Sequence, residues 1–163
     1  MTTSGRIEGF LRDRAADYRP LFDAQGTGAQ RVAASVHVPG HQVAKVVVVR
    51  GADGTAMMAV LPATEHLDLR ALSWATGDRA LALATESDLA VLFPDCERGV
   101  VPPYGRLYGM PVYVDACLRG VPEIVLPGGD GRRAVAMRWI EFERLAQPIV
   151  GQCCFHPLPG RPA

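Results

Sequence analysis

The stretch that most limits how this chain can fold is VAKVVVVRGADGTAMMAVL, residues 43–61. A β-branched run and a second apolar run are joined by GADGT, whose glycines and aspartate favour a turn, so the stretch predicts a β-hairpin. Side chains alternate between the faces of a strand, and the valines and alanine make both faces of the first run apolar. We therefore expect a sheet that is buried on both faces.

Shorter patterns predict further elements along the chain. Strands are expected in VYVDA, EIVL and AVAMRW, and RALAL is interpreted as a short buried strand. Five helices are predicted. The first carries the apolar stripe Ile7, Phe10, Leu11 and Ala15 after Thr3 and Ser4, and the second is TGAQRVAASV, in which Thr27 and Gln30 have capping-box spacing. The others are LRALSWAT, capped by Asp68, ESDLAVLF, opened by Thr85 together with Asp88, and IEFERLAQP, which ends at Pro148.

Helices and strands that alternate in this way indicate a mixed α/β fold. We predict a single domain with a central mixed β-sheet flanked by helices. A chain of 163 residues buries roughly 70% of the surface that its unfolded form exposes, so one core is sufficient. Residues 1–150 are assigned to the domain and residues 151–163, which end in HPLPGRPA, to a C-terminal tail.

The charge of the chain limits its partners. The sequence has 17 Lys and Arg and 17 Asp and Glu, which gives a formal net charge of zero at pH 7. A protein that wraps a long duplex needs a broad cationic face, because phosphate neutralisation supplies most non-specific affinity. The chain is therefore expected to hold only a short piece of nucleic acid or a small molecule, and not DNA.

Neither a membrane nor a metal is expected as a partner. No apolar stretch approaches the roughly 20 residues of a membrane helix, and the N-terminus lacks the apolar core of a signal peptide, which favours a cytoplasmic protein. The cysteines, Cys96, Cys117, Cys153 and Cys154, show no CxxC spacing. They are interpreted as reduced structural residues, with no zinc site and no disulfide.

Lys45 is the only lysine of the chain, since every other basic residue in the count of 17 is arginine. Arginine is a planar fork, whereas lysine is a compact point charge that fits a narrow site and whose pKa responds to burial. The structural alternative is a stem that packs in the sheet while the ammonium reaches water. The exclusive use of arginine elsewhere favours a functional Lys45.

Two glycine-rich segments are further candidates. GVVPPYG, residues 99–105, has glycine for close backbone approach and two prolines that stiffen the loop, so it can present main-chain groups to a substrate or form a rigid corner. It lacks the spacing of a Walker or Rossmann phosphate loop. LPGGDGRR, residues 126–133, reads as a hairpin turn or as a glycine nest for an anion, with Arg132 and Arg133 beside it.

The order of several segments resembles a known family. The chain contains, in this order, VAKVVVV, AVLPA, TESDLAVLFPDCERGVVPPYG, MPVYVD and MRWIEFERLAQPIVG. This order resembles that of the YbaK/ProX-like aminoacyl-tRNA deacylases, which are related to the editing insertion domain of bacterial prolyl-tRNA synthetase. The resemblance runs from about residue 15 to residue 150. It implies a single mixed-sheet α/β domain that hydrolyses the ester between a wrong amino acid and tRNA.

The resemblance also implies roles for particular residues. The strand lysine corresponds to Lys45, which would hold the tRNA 3′ end, and the GxxxP loop of the family corresponds to Gly99 through Pro103. Gly99 would position the ester and the attacking water. The residues expected to bind substrate are Val100, Val101, Pro102, Pro103, Gly129 and Asp130. No metal, cofactor or covalent nucleophile is implied, and the expected partner is the acceptor end of a mischarged tRNA, with a synthetase as a further candidate.

Two departures from the family pattern leave alternatives open. Many relatives have a histidine in the turn where this chain has Gly131, and many have HP where this chain reads FDAQ. Either the substrate differs, with Asp130 reading an amino group, or the chain is a weakened paralogue that binds aminoacyl-tRNA or an adenosine-like ligand without hydrolysis. A third alternative is a protein-interaction subunit in which these residues have no chemical role.

Overall fold

A computed structural model describes residues 3–158, and these contain five α-helices and ten strands. The helices are α1 (Thr3–Asp13), α2 (Ala29–Ser35), α3 (Leu69–Thr76), α4 (Glu86–Leu92) and α5 (Trp139–Ala146). The strands are β1 (Arg19–Phe22), β2 (Ala44–Arg50), β3 (Ala56–Pro62), β4 (His66–Leu67), β5 (Ala82–Leu83), β6 (Val112–Asp115), β7 (Ile124–Pro127), β8 (Arg133–Met137), β9 (Ile149–Gly151) and β10 (Cys154–Phe155). None of these helices is long and apolar enough to cross a membrane.

The main sheet has the strand order β5-β2-β3-β6-β9 and is mixed, as predicted. β2 pairs antiparallel with β3, with Lys45 opposite Leu61, and this confirms the hairpin. β3 and β6 are parallel, and so are β6 and β9. A second, antiparallel sheet has the order β1-β8-β7 and meets the main sheet at a bridge between Val43 and Val125.

Both faces of β2 are covered, as the apolar hairpin predicts. Ala44 and Val48 face the largest core, which also contains Leu11 of α1 and Phe142 of α5. Val49 faces a smaller core on the opposite side of the sheet, where α3 contributes Leu72. The single mixed α/β domain expected from the sequence is therefore confirmed.

The predicted helix caps are confirmed at two helices and wrong at a third. The Asp68 carboxylate accepts a hydrogen bond from the Ala71 amide at 2.9 Å, and Thr85 with Asp88 forms a complete capping box. The box predicted from Thr27 and Gln30 does not form, because Gly28 is the N-cap of α2 and no side chain caps that end. The Gly28 amide instead donates to the Gly131 carbonyl at 2.6 Å. A contact distant in sequence thus sets where α2 begins.

Two smaller predictions differ from the structure. RALAL contributes only β5, Ala82–Leu83, and both residues are exposed, so the interpretation as a buried strand is wrong. β5 is an edge strand of the main sheet, where one side is left open to solvent. The apolar stripe predicted that the first helix includes Ala15, but Ala15 lies beyond the end of α1 and has a φ of 47°.

The packed chain continues past residue 150. β9 ends at Gly151, which pairs with Asp115, and β10 pairs antiparallel with β4. Between these strands, Cys153 is completely buried. His156 Nδ1 lies 3.0 Å from Glu65 Oε1, and residues 159–163 of the predicted tail lie outside the described range.

Candidate functional site

Lys45 lies in β2, and its side chain is partly buried on the face that it shares with Val47 and Val49. Burial lowers the pKa of the ammonium, while nearby Cys154 and Glu65 act in the opposite direction. Within residues 3–158, Lys45 forms no ion pair and no side-chain hydrogen bond. An ammonium in this position is available to an anionic or polar ligand.

The surroundings of Lys45 include a cluster that the sequence did not reveal. Ligand atoms of Asp115, Cys117 and Cys154 all lie within 4.8 Å of one another, which is close enough for three donors to a metal. The Asp115 carboxylate already accepts the amides of Cys117, Cys153 and Cys154, at 2.8–3.0 Å. Cys117 and Cys154 lie 37 positions apart, so no local spacing could have indicated the cluster.

The ionisation of Asp115 and of the neighbouring Cys153 and Cys154 fits a structural role. Burial acts to raise the pKa of Asp115, but the hydrogen bonds from Cys153 and Cys117 outweigh it and leave the pKa below its usual value. Burial raises the pKa of Cys153 to about 12 and also raises the pKa of Cys154. Both thiols are therefore protonated at neutral pH and are poor nucleophiles.

The loop at residues 99–105 is ordered by its own side chains. Val100 to Gly105 are buried, and Val101 and Tyr104 belong to the largest core. The Val100 amide donates to the Glu97 carbonyl at 3.0 Å. The residues from Val100 to Pro103 are thus fixed by packing, and Val101 also lines the cavity beside Gly99.

Gly99 is the exposed end of this loop. Its φ is +78°, a conformation that favours glycine, and a methyl group added to it would meet no atom within 4 Å. Gly99 and Val101 line a cavity of about 510 Å³, together with Leu89 and Phe93 from the α4 region. The Gly99 main chain thus borders a cavity that is large enough for a small side chain and is also lined by the charged residues Glu86, Glu97 and Arg98.

The turn between β7 and β8 is the hairpin that the sequence predicted. Asp130 Oδ1 accepts the amides of Arg132 and Arg133, each at 2.9 Å. The Gly131 amide donates to Glu97 Oε2 at 2.8 Å. The anion bound by this amide is therefore a carboxylate of the protein, and Gly129, at a φ of 92°, is buried in the turn.

The structure brings some of the predicted residues together and separates others. Glu97, which the sequence did not single out, links the turn at Gly131 to the loop that carries Gly99. No hydrogen bond or ion pair joins Lys45 to residues 99–103 in the described chain, and Lys45 is not among the residues that line the Gly99 cavity. A substrate that uses both would have to extend from one to the other.

Comparison with known proteins places these features in context. Residues 23–145 match the family described as the aminoacyl-tRNA editing domain. A comparison with curated proteins found no match.

Solved structures share the fold over nearly the whole chain. One is a protein proposed to be a trans-editing enzyme for prolyl tRNA synthetase, with 26% identity, a TM-score of 0.81 and coverage of 94% of this chain and 97% of that one. A scaffold protein used for computational epitope grafting has 25% identity, a TM-score of 0.82 and the same coverage. The hypothetical protein APE2540, at 19% identity and a TM-score of 0.83 over 92% of this chain and 99% of its own, shows the fold alone.

Proposed function

The chain belongs to the aminoacyl-tRNA editing domain family, and from this premise we propose that it hydrolyses the ester of mischarged aminoacyl-tRNA in trans. The proposed partner is the acceptor end of a tRNA that carries a wrong amino acid, and the proposed place of action is the cytoplasm. A synthetase as a second partner is suggested by the neighbour named for prolyl tRNA synthetase.

The observation that carries this proposal is the main chain of Gly99 beside the cavity. The residues from Val100 to Pro103 are buried and hold the loop, while Gly99 is exposed at a backbone conformation that favours glycine. Rigid positioning of an ester and a water contributes strongly to rate when the ester is already activated. In the proposed mechanism the amino acid occupies the cavity and its ester lies against Gly99.

Lys45 is not among the described residues that line this cavity, and it would hold the nucleotide end of the substrate. Its ammonium has no ion pair in residues 3–158, so it can hold a phosphate or ribose oxygen of the terminal nucleotide. Water adds to the ester carbonyl, the bond to the ribose oxygen breaks, and the departing oxygen takes up a proton. The neighbouring ribose hydroxyl can relay that proton, so the mechanism needs neither a metal nor a thiolate.

A second candidate function is a non-hydrolytic module that binds aminoacyl-tRNA or an adenosine-like ligand. The observation that favours it is Gly131, which stands where many relatives have histidine. A Cβ at this position would lie 2.9 Å from Glu97 Oε2, at the end of a flexible side chain, and 3.2 Å from Thr27 Cα, so a side chain here would require its neighbours to shift.

The test is a deacylation screen of the purified protein against a panel of mischarged tRNAs, including tRNA for proline. We expect turnover of a small mischarged amino acid, unaffected by chelators and reduced in the Lys45→Ala variant. Binding of the same tRNAs without turnover of any of them would support the second candidate and contradict hydrolysis. Turnover that a chelator abolishes would contradict the metal-free mechanism.

A further inference from the structure

The exposed face of α3 and the turn after it carry an unusual combination of side chains. Trp74 is 76% exposed, the largest exposed fraction of an aromatic residue within the described range. A cleft of about 660 Å³ is lined by Arg70, Ser73, Trp74, Gly77 and Arg79. Arg70 and Trp74 lie four residues apart on one side of the helix, and Gly77, at a φ of 75°, turns the chain so that Arg79 joins them. We call this surface, made of Arg70, Trp74 and Arg79, the α3 surface.

The arginines of the α3 surface are not held by carboxylates of the described part of the protein. Neither Arg70 nor Arg79 forms an ion pair with any residue of 3–158, although Asp78 lies between them along the chain. The Asp78 carboxylate accepts the amides of Ala52 and Ala80 instead, at 3.2 and 2.9 Å. Ion pairs with carboxylates are formed by Arg6, Arg19, Arg31, Arg50, Arg98, Arg133, Arg138 and Arg144.

The α3 surface lies on the same side of the main sheet as Lys45. Leu72 packs α3 onto the core of Val49, and Val49 shares a strand face with Lys45. At the start of α3, the Asp68 amide donates to the carbonyl of Cys153, and the next residue, Cys154, lies near Lys45. At its other end, Asp78 accepts the Ala52 amide beyond the end of β2. The helix therefore runs along β2, away from the Lys45 end.

We propose that the α3 surface binds the single-stranded nucleotides that precede the aminoacylated end of the tRNA. This inference rests on the proposed function and adds to it a second contact area. Trp74 would stack on a base, and Arg70 and Arg79 would contact phosphates on either side of it. α3 has eight residues and is about 12 Å long, which corresponds to roughly three stacked nucleotides. Exposed tryptophan beside unpaired arginines suits RNA because it offers a stacking face and positive charge together.

The test measures the binding of an uncharged, fluorescently labelled acceptor-stem minihelix with its single-stranded 3′ end, by anisotropy. An uncharged minihelix has no ester, so the result is independent of hydrolysis and of the proposed catalytic role of Gly99. The variants are Arg70→Ala, Trp74→Ala and Arg79→Ala, with Trp74→Phe to retain a stacking ring. Matched controls on α1 and α5, which pack on the other side of the sheet, are Arg12→Ala and Ile140→Ala.

We expect Trp74→Ala to weaken binding about tenfold and Trp74→Phe to restore most of it. Each arginine variant should weaken binding several-fold and reduce the slope of log affinity against log salt by about one, whereas the controls should leave binding unchanged. A minihelix without its single-stranded end should bind equally weakly to wild type and variants.

Unchanged binding in all three variants would overturn the α3 surface as an RNA contact even if the protein hydrolyses aminoacyl-tRNA. Equal losses in the Arg12→Ala control would overturn it as well, because they would indicate a non-specific charge effect. Variants that bind the minihelix normally but fail to associate with a synthetase would assign the surface to a protein partner and overturn the RNA proposal. If the losses occur but no tRNA in the panel is deacylated, the α3 surface stands and the proposed hydrolysis fails.

Discussion

The neighbourhood of Lys45 and the loop that carries Gly99 are built in opposite ways. Lys45 offers a side-chain charge, and no carboxylate of residues 3–158 pairs with it. The Gly99 loop offers main-chain atoms, and its side chains pack in the core and hold the loop in place. The first region is therefore expected to depend on the chemistry of one side chain, and the second on backbone geometry. Mutations can separate these two kinds of dependence.

The largest effect is expected at Lys45. Lys45→Ala and Lys45→Arg should each reduce deacylation by at least about a hundredfold, because the bulky guanidinium fork does not fit where a compact ammonium holds the tRNA end. The thermal midpoint should change little, since no hydrogen bond or ion pair of the described chain is lost. Single-turnover deacylation and thermal unfolding on the same preparation provide the check. A Lys45→Arg protein with near wild-type turnover would contradict this role.

Gly99→Ala should lower turnover by about a hundredfold while the melting temperature falls by only a few degrees. The added methyl group meets no atom within 4 Å, so the cost comes from holding alanine at a φ of +78°, roughly 1 kcal/mol or more. Relief of that strain displaces the main chain that positions the ester. Gly109→Ala is the matched control, because Gly109 also has a positive φ, 65°, and open space around its Cβ. Full activity in Gly99→Ala would make the loop a structural corner.

A substitution of Asp115 is expected to lower stability and not to act on the deacylation chemistry itself. Asp115→Asn should lower the free energy of unfolding by about 1–3 kcal/mol, because the amides of Cys117, Cys153 and Cys154 lose a charged acceptor. The folded-state pKa of Asp115 is lowered, so its stabilisation is present above the unfolded pKa, about 3.9, and is lost as pH falls through the folded value. Urea titrations from pH 5 downward should show a steeper loss in wild type than in Asp115→Asn. Equal slopes would contradict this account.

The smallest effect is expected for the cysteines. Single changes of Cys96, Cys117, Cys153 or Cys154 to alanine should leave turnover within a few-fold of wild type, because the proposed nucleophile is water. The raised pKa of Cys153 and Cys154 supports this expectation. Complete loss of turnover in one folded variant would indicate covalent catalysis, beside the Gly99 cavity if the residue is Cys96 and near Lys45 if it is Cys154.

The features that the sequence determined by itself are those whose partners are close along the chain. The β2–β3 hairpin follows from two apolar runs around GADGT, and the caps at Asp68 and Thr85 involve amides three residues away. Such contacts require the ordering of only a few residues, so local patterns are sufficient to predict them. The sequence also predicted that the loop at residues 99–105 has a fixed conformation, because apolar residues and prolines favour a buried, rigid segment.

Tertiary structure alone decided what surrounds each candidate residue. Asp115 meets Cys154 across 39 positions, and the Gly131 amide meets Glu97 across 34, so neither contact leaves a pattern in the sequence. The start of α2 at Gly28 was mispredicted for the same reason, since its amide is held by the distant Gly131 carbonyl. Distant residues become neighbours only when the core forms and fixes the backbone around them. The sequence therefore determined that Lys45 lies on a strand and Gly99 in an ordered loop, whereas packing decided that Lys45 lies near Glu65 and Cys154 and that Leu89 and Phe93 line the cavity beside Gly99.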